Sequence, residues 1–279
     1  MQNVFKVAPL LFVGQKRMFL THFTQVLSDN IPNDGEGWTI VDAFGGSGLL
    51  SHTAKRLKPK ARVIYNDYDG YSERLAHIED INRLRRLLIA EVGEIPRDTR
   101  IPHEIKQKII HIIRCFDGYM DLQTLQSWLL FSGNQAKSVE DLLTRSFFNC
   151  IRQSDYPSAD GYLDGVDVVC LEFDALMQQF EDNKKAIFVL DPPYLCTQQA
   201  SYNQENYFDL IDFLRLIKLT RPPFVFFSST KSEFVRFVDT MIEDKWNNWR
   251  AFEDYKRIIV NASANCSGKY EDNLVWKFA

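Results

Sequence analysis

Trp38-Thr39-Ile40-Val41-Asp42-Ala43-Phe44-Gly45-Gly46-Ser47-Gly48 is an apolar, β-prone run that ends in a glycine-rich turn. Leu49 to Leu57 follows with helical spacing, and Ala61 to Tyr65 is a second β-prone run ended by Asn66-Asp67. Strand, turn, helix and strand in that order predict a βαβ unit. The glycines suit a turn that a ligand approaches closely, because side chains at Gly45, Gly46 and Gly48 would occupy the ligand's space. No Gly-Lys-Ser/Thr follows, so the turn is not a phosphate-cradling P-loop.

The alternation resumes at Val166–Leu171, then a helix around Ala175–Phe180, a strand at Ala186–Leu190, a helix around Phe208–Leu219 and a strand at Phe224–Phe227. Arg250–Val260 and Asn273–Phe278 read as two further strands joined by a polar loop, Asn261–Asp272. Between the two alternating regions the spacing is helical, as in Ile105, Ile109, Ile112 and Ile113, then Leu122, Leu125, Leu129 and Leu130. The prediction is an α/β core of residues 1–70 and 160–279, interrupted by a helical insertion at 71–159.

The 279 residues are 45% hydrophobic and 25% charged, enough to bury a sizeable core. No apolar run nears the roughly 18 residues of a membrane span, and Lys6, Lys16 and Arg17 break up the first twenty, so a cytoplasmic protein is expected. Cys115, Cys150, Cys170, Cys196 and Cys266 are scattered without a C-x-x-C pair, and the histidines lack H-E-x-x-H, so reduced thiols and no metal are predicted. A net charge of −4 argues against general adhesion to nucleic acid. It leaves room for a local basic face among Arg83, Arg85, Arg86, Arg97, Arg100, Lys106, Lys108 and Arg114.

Gly46 and Gly48, small Ser51, and acidic Asp67 at the next strand end fit any adenosine-containing cofactor, leaving NAD and S-adenosylmethionine both open. A second motif decides between them. Asp191-Pro192-Pro193-Tyr194 caps the Ala186–Leu190 run at its carboxyl end, where open α/β sheets bind ligands. The prolines fix the backbone and present two rigid acceptors, the Asp191 carboxylate and the Pro192 carbonyl. Such a pair suits the exocyclic amine of adenine or cytosine, whose lone pair is delocalised into the ring. Accepting both N–H hydrogens frees that lone pair for in-line attack on a sulfonium methyl. Tyr194 would stack on the base, which must be flipped out or single-stranded. Cytosine-C5 chemistry needs a thiolate, and no Pro-Cys occurs.

In this order the motifs resemble those of the Dam-type DNA adenine-N6 methyltransferases, over most of the chain. The resemblance implies a Rossmann-like class I methyltransferase sheet, mostly parallel with an antiparallel C-terminal hairpin. It also implies S-adenosylmethionine as cofactor and double-stranded DNA with a flipped adenine as substrate; a monomer is expected. Phe12-Val13-Gly14-Gln15-Lys16 is similar to the family's aromatic-x-Gly-Gly-Lys, with Gln15 for a glycine, which puts Phe12 and Lys16 at the cofactor. Asp42 to Gly48 is similar to Asp-Pro-Phe-x-Gly-x-Gly, with Ala43 for proline, which adds Asp42, Phe44, Gly46 and Gly48. The family's ribose-binding aspartate falls on Asp67, and the acidic-Phe pair that meets the adenine falls on Glu172-Phe173. Asp191, Pro192, Pro193 and Tyr194 would be catalytic, Asp191 also touching the cofactor. Thr144-Arg145-Ser146-Phe147-Phe148-Asn149-Cys150 keeps the Arg, Phe and Asn of the family's target-recognition pattern, which implies that Arg145 and Asn149 meet DNA. Cys150 replaces its glycine, so no recognition sequence carries over.

Overall fold

The computed structural model describes residues 4–131, 133–194, 208–229, 233–265 and 268–279. They form two compact units, one of Met1–Ala8, Gly14–Tyr71 and Gly161–Ala279, the other of Pro9–Val13 and Ser72–Asp160. The strands are β1 (Thr39–Asp42), β2 (Arg62–Asn66), β3 (Asp167–Val169), β4 (Ala186–Leu190), β5 (Phe224–Ser229), β6 (Lys256–Asn265) and β7 (Gly268–Lys277). The helices are α1 (Leu20–Asn30), α2 (Leu49–Leu57), α3 (Tyr71–Ala76), α4 (Ile78–Val92), α5 (His103–Cys115), α6 (Leu122–Leu129), α7 (Val139–Thr144), α8 (Phe173–Gln178), α9 (Leu210–Leu219), α10 (Phe234–Glu243) and α11 (Trp249–Phe252).

All seven strands join one sheet in the order β3-β2-β1-β4-β5-β7-β6. β1 to β5 pair in parallel, and β7 runs antiparallel to both β5 and β6. This is the Rossmann-like sheet of class I methyltransferases, with the strand order reversing between β1 and β4. Helices cover both faces, which is why the central strands read as unbroken apolar runs. Ile40, Val63, Ile187, Val189, Val225 and Phe227 pack with Phe23 and Leu27 of α1 and Leu50 and Ala54 of α2. The alternate residues Val41, Ile64, Phe188, Leu190, Phe224 and Phe226 pack with Met177, Leu216 and Val238 of α8, α9 and α10. Asp42 is in register with Val189, and Leu190 with Phe226, so the carboxyl ends of β1, β4 and β5 form one edge.

The second unit is helical. Leu84 and Leu88 of α4, Ile109 and Ile113 of α5, Leu125 and Trp128 of α6, and Leu142 of α7 are all buried. Arg74 and Asp121 form a buried ion pair, two N–H donors on two carboxylate oxygens at 2.9 Å, and Asp121 also caps α6 by accepting from the Thr124 amide. Arg74 also donates to the Leu11 carbonyl at 3.0 Å, so Pro9–Val13 groups with this unit and not with the sheet, as a continuous 1–70 segment would require.

Two expectations change at the C-terminal end. Trp249–Phe252 is a helical turn, and the strand predicted from Arg250 begins only at Lys256. The predicted loop, Asn261–Asp272, lies largely in strands: pairing runs on from Val260↔Asp272 to Asn265↔Gly268. An antiparallel edge hairpin needs no apolar face on both sides, so polar composition there does not signal a loop.

Candidate active site

The turn from β1 into α2 depends on Gly46 at φ 49° and Gly48 at φ 69°, left-handed values that glycine adopts without strain. Gly45 is needed for another reason. A Cβ there would lie 2.1 Å from the Tyr65 ring, so that ring, and not a ligand, fills the space the sequence reading reserved. The buried Tyr65 hydroxyl lies 2.7 Å from the Gly46 carbonyl and 2.9 Å from Asp67 Oδ1, and burial first, then Asp67, keeps it protonated. Tyr162 donates to the next carbonyl, Ser47, at 2.9 Å. Two buried phenols therefore fix consecutive carbonyls of the turn. Asp67 Oδ1 also accepts the Tyr71 amide at 2.6 Å, so part of this carboxylate shapes the chain beyond β2.

Asp42 ends β1 and is 1% exposed. Ser51 donates to its Oδ2 at 2.6 Å, while buried Oδ1 has no hydrogen-bond partner among the described residues. Burial pushes this carboxyl up to about 7; the Ser51 bond opposes the shift and the charge of Asp191 adds to it. Asp191 follows β4 on the same edge. Lys16 Nζ lies 2.7 Å from Asp191 Oδ2, donates to the Gly14 carbonyl at 2.9 Å, and sits 5.6 Å from the Tyr194 ring centroid. Burial raises the Asp191 carboxyl, Lys16 pulls it back down, and Asp272 of β7 adds to the rise. Pro192 and Pro193 are buried, whereas Asp191 and Tyr194 are half-buried.

Beside the turn, Ala43, Phe44, Asn66, Tyr68, Glu172 and Phe173 line a narrow recess of about 50 Å³. Phe44 stacks on Phe173 with ring centroids 5.3 Å apart, and Phe208 meets Phe44 edge-on at 5.7 Å. Tyr68 donates to Glu172 Oε1 at 2.7 Å at the rim. Asn66 ties the strand ends together, donating to the Ala43 and Leu171 carbonyls and accepting the Leu171 amide. The sheet unit thus brings together Lys16, Asp42, Phe44, Gly46, Gly48, Asp67, Glu172, Phe173 and the Asp191–Tyr194 motif. Phe12 belongs to the segment grouped with the helical unit.

In the helical unit Arg145 is held by Asp141 through two hydrogen bonds of 3.0 Å. Asn149 is 3% exposed and donates to the Ile95 carbonyl at 2.7 Å, so it supports the fold from inside, away from any surface that DNA could reach. Of the predicted basic face, Arg85 is buried against Asp155, Arg86 pairs with Glu79, and Arg83 with Asp80 and Asp117.

A Haemophilus influenzae (strain ATCC 51907 / DSM 11121 / KW20 / Rd) protein named "Putative methyltransferase" is 61% identical over 278 residues, covering 99% of this chain and 94% of the relative. The chain belongs to this methyltransferase family. No family model matches it. Among solved structures, precorrin-6y C5,15-methyltransferase from Geobacter metallireducens GS-15 aligns over 100% of both chains with a TM-score of 0.39 and 8% identity. The fold assignment rests on the sheet order itself. In this methyltransferase, Tyr65, Asn66 and Tyr162 shape the site without having been marked for that role by the sequence, while Ser51, read there only as a small residue, donates to Asp42. Tyr162 lies 115 positions from the Ser47 it holds, beyond the reach of any local pattern.

Proposed function

We propose that this methyltransferase moves a methyl group from S-adenosylmethionine to the N6 amine of adenine in double-stranded DNA. The observation that carries the reading is the shared edge: Asp191, held by Lys16 and followed by two buried prolines, stands beside Asp42 and the glycine turn. The residues suit the cofactor. Buried Asp42 Oδ1 is an orphaned acceptor fitted to an ammonium, and the Phe44–Phe173 recess with Glu172 at its rim is fitted to a purine once the rings part. Lys16, Asp42, Phe44, Gly46, Gly48, Asp67, Glu172 and Phe173 would hold it, and its sulfonium would supply an electrophilic methyl.

The chain's own residues do the rest. Lys16 opposes the burial that raises the Asp191 carboxyl and so favours its ionised form, and the carboxylate and the Pro192 carbonyl accept the two amine hydrogens. Tyr194 offers its ring to the extruded base. The test is tritium transfer from labelled cofactor to duplex DNA, with single-molecule sequencing to identify base and context. Asp191→Ala is expected to fold, judged by circular dichroism, and to lose transfer more than about a thousandfold. Undiminished transfer by the folded variant, or label only on cytosine, would sink the adenine reading.

A further inference from the structure

The helical unit contains an open recess of about 390 Å³, lined in part by Arg97, Arg152, Ser127, Ser154, Cys150 and Tyr156. Arg74, Arg83, Arg85, Arg86, Lys108 and Arg145 each have a carboxylate within ion-pair distance. Among the described residues, Arg97 and Arg152 have hydrogen bonds only to carbonyls. Arg97 donates to Ile151 at 2.8 Å; Arg152 donates to Ser154 at 2.8 Å and to Asp155 at 3.4 Å. A guanidinium has five N–H donors, so both keep donors to spare. Arg152 lies over the Tyr156 ring at 4.6 Å, a stacking that fixes its plane. Burial and a hydrogen bond to Asp98 push the Cys150 thiol up, so the thiol itself adds no charge to the lining.

We infer that this recess binds backbone phosphates of the nucleic-acid substrate, Arg97 and Arg152 supplying charge and Ser154 a hydroxyl donor. The inference rests on the DNA reading above. It accounts for an acidic protein's hold on a polyanion: two guanidiniums with no ion-pair partner among the described residues share one concavity and act locally, whatever the net charge.

The experiment compares wild type, R97Q/R152Q and R97K/R152K in duplex binding from 50 to 300 mM sodium chloride. Melting with and without S-adenosylmethionine reports on the sheet unit. The Gln pair is expected to bind at least tenfold more weakly, with the log K against log salt slope flatter by about 1 to 2. The Lys pair should restore the slope, and the cofactor-induced melting shift should match wild type in both. An unchanged slope and affinity in the Gln pair, with wild type binding normally, overturns the phosphate site alone. Wild type that binds cofactor but no duplex overturns the DNA reading and this inference together. If matched-ionic-strength inorganic phosphate stabilises wild type and not the Gln pair, while both bind duplex equally, the recess takes small anions and the proposal falls.

Discussion

Asp42 gives up its proton near pH 4 in the unfolded chain and near pH 7 in the folded one, because burial outweighs the single bond from Ser51. Between those values the folded protein holds more protons. The contribution of Asp42 to stability is therefore fully present below pH 4 and falls as pH rises to about 7. Asp42→Asn, which can still accept from Ser51, should lose that slope; melting curves of the two proteins from pH 4 to 7 should diverge steadily, and parallel curves would contradict the assignment. Burial raises Asp191 too, and there the opposing partner is Lys16: removing it leaves burial and Asp272 unopposed. Lys16→Met should move the acid limb of the transfer-rate profile upward, lowering the rate on the acid side with recovery at higher pH. A profile that does not move would mean that the pair at 2.7 Å has no role in keeping the carboxylate charged.

At the scale of elements, the turn after β1 separates two uses of glycine that look alike in sequence. Gly48→Ala must tolerate φ 69° and a neighbour at 3.2 Å and should cost about 1 to 2 kcal/mol. Gly45 has an ordinary φ, yet Gly45→Ala drives a methyl into Tyr65 at 2.1 Å and should cost more, over about 2 kcal/mol. Thermal unfolding ranks them, and the reverse order would mean that backbone conformation outweighs packing here. The glycine pattern alone could not tell these cases apart, because the ring that meets Gly45 comes from the neighbouring strand. α2 and β4 were legible to the residue, having clean periodicity and sharp ends. α11 and the long β6–β7 hairpin were not, since a short helical turn of aromatic and apolar residues reads as strand and polar residues on an edge hairpin read as loop.

On the proposed reading the cofactor sits at the edge where β1 and β4 meet, so it should stabilise folding of the sheet as a unit. S-adenosylmethionine at a hundred times its dissociation constant should add about 2.7 kcal/mol, a clear rise in melting temperature, while NAD at equal concentration should add none. A rise with NAD alone would overturn the S-adenosylmethionine reading of the site. The sheet and the carboxylate motif could be read from the sequence because each is local; the division of labour in the helical insertion could not, because Asn149 becomes buried and Arg97 joins Arg152 only through the tertiary fold. The same nonlocality bears on how the protein is made. Thr39 of β1 pairs with Ala186 of β4, roughly 150 residues downstream. At about 5 to 20 residues per second, a ribosome exposes an apolar strand edge for roughly 7 to 30 seconds before its partner emerges, an interval in which a chaperone or a stray strand can reach it first.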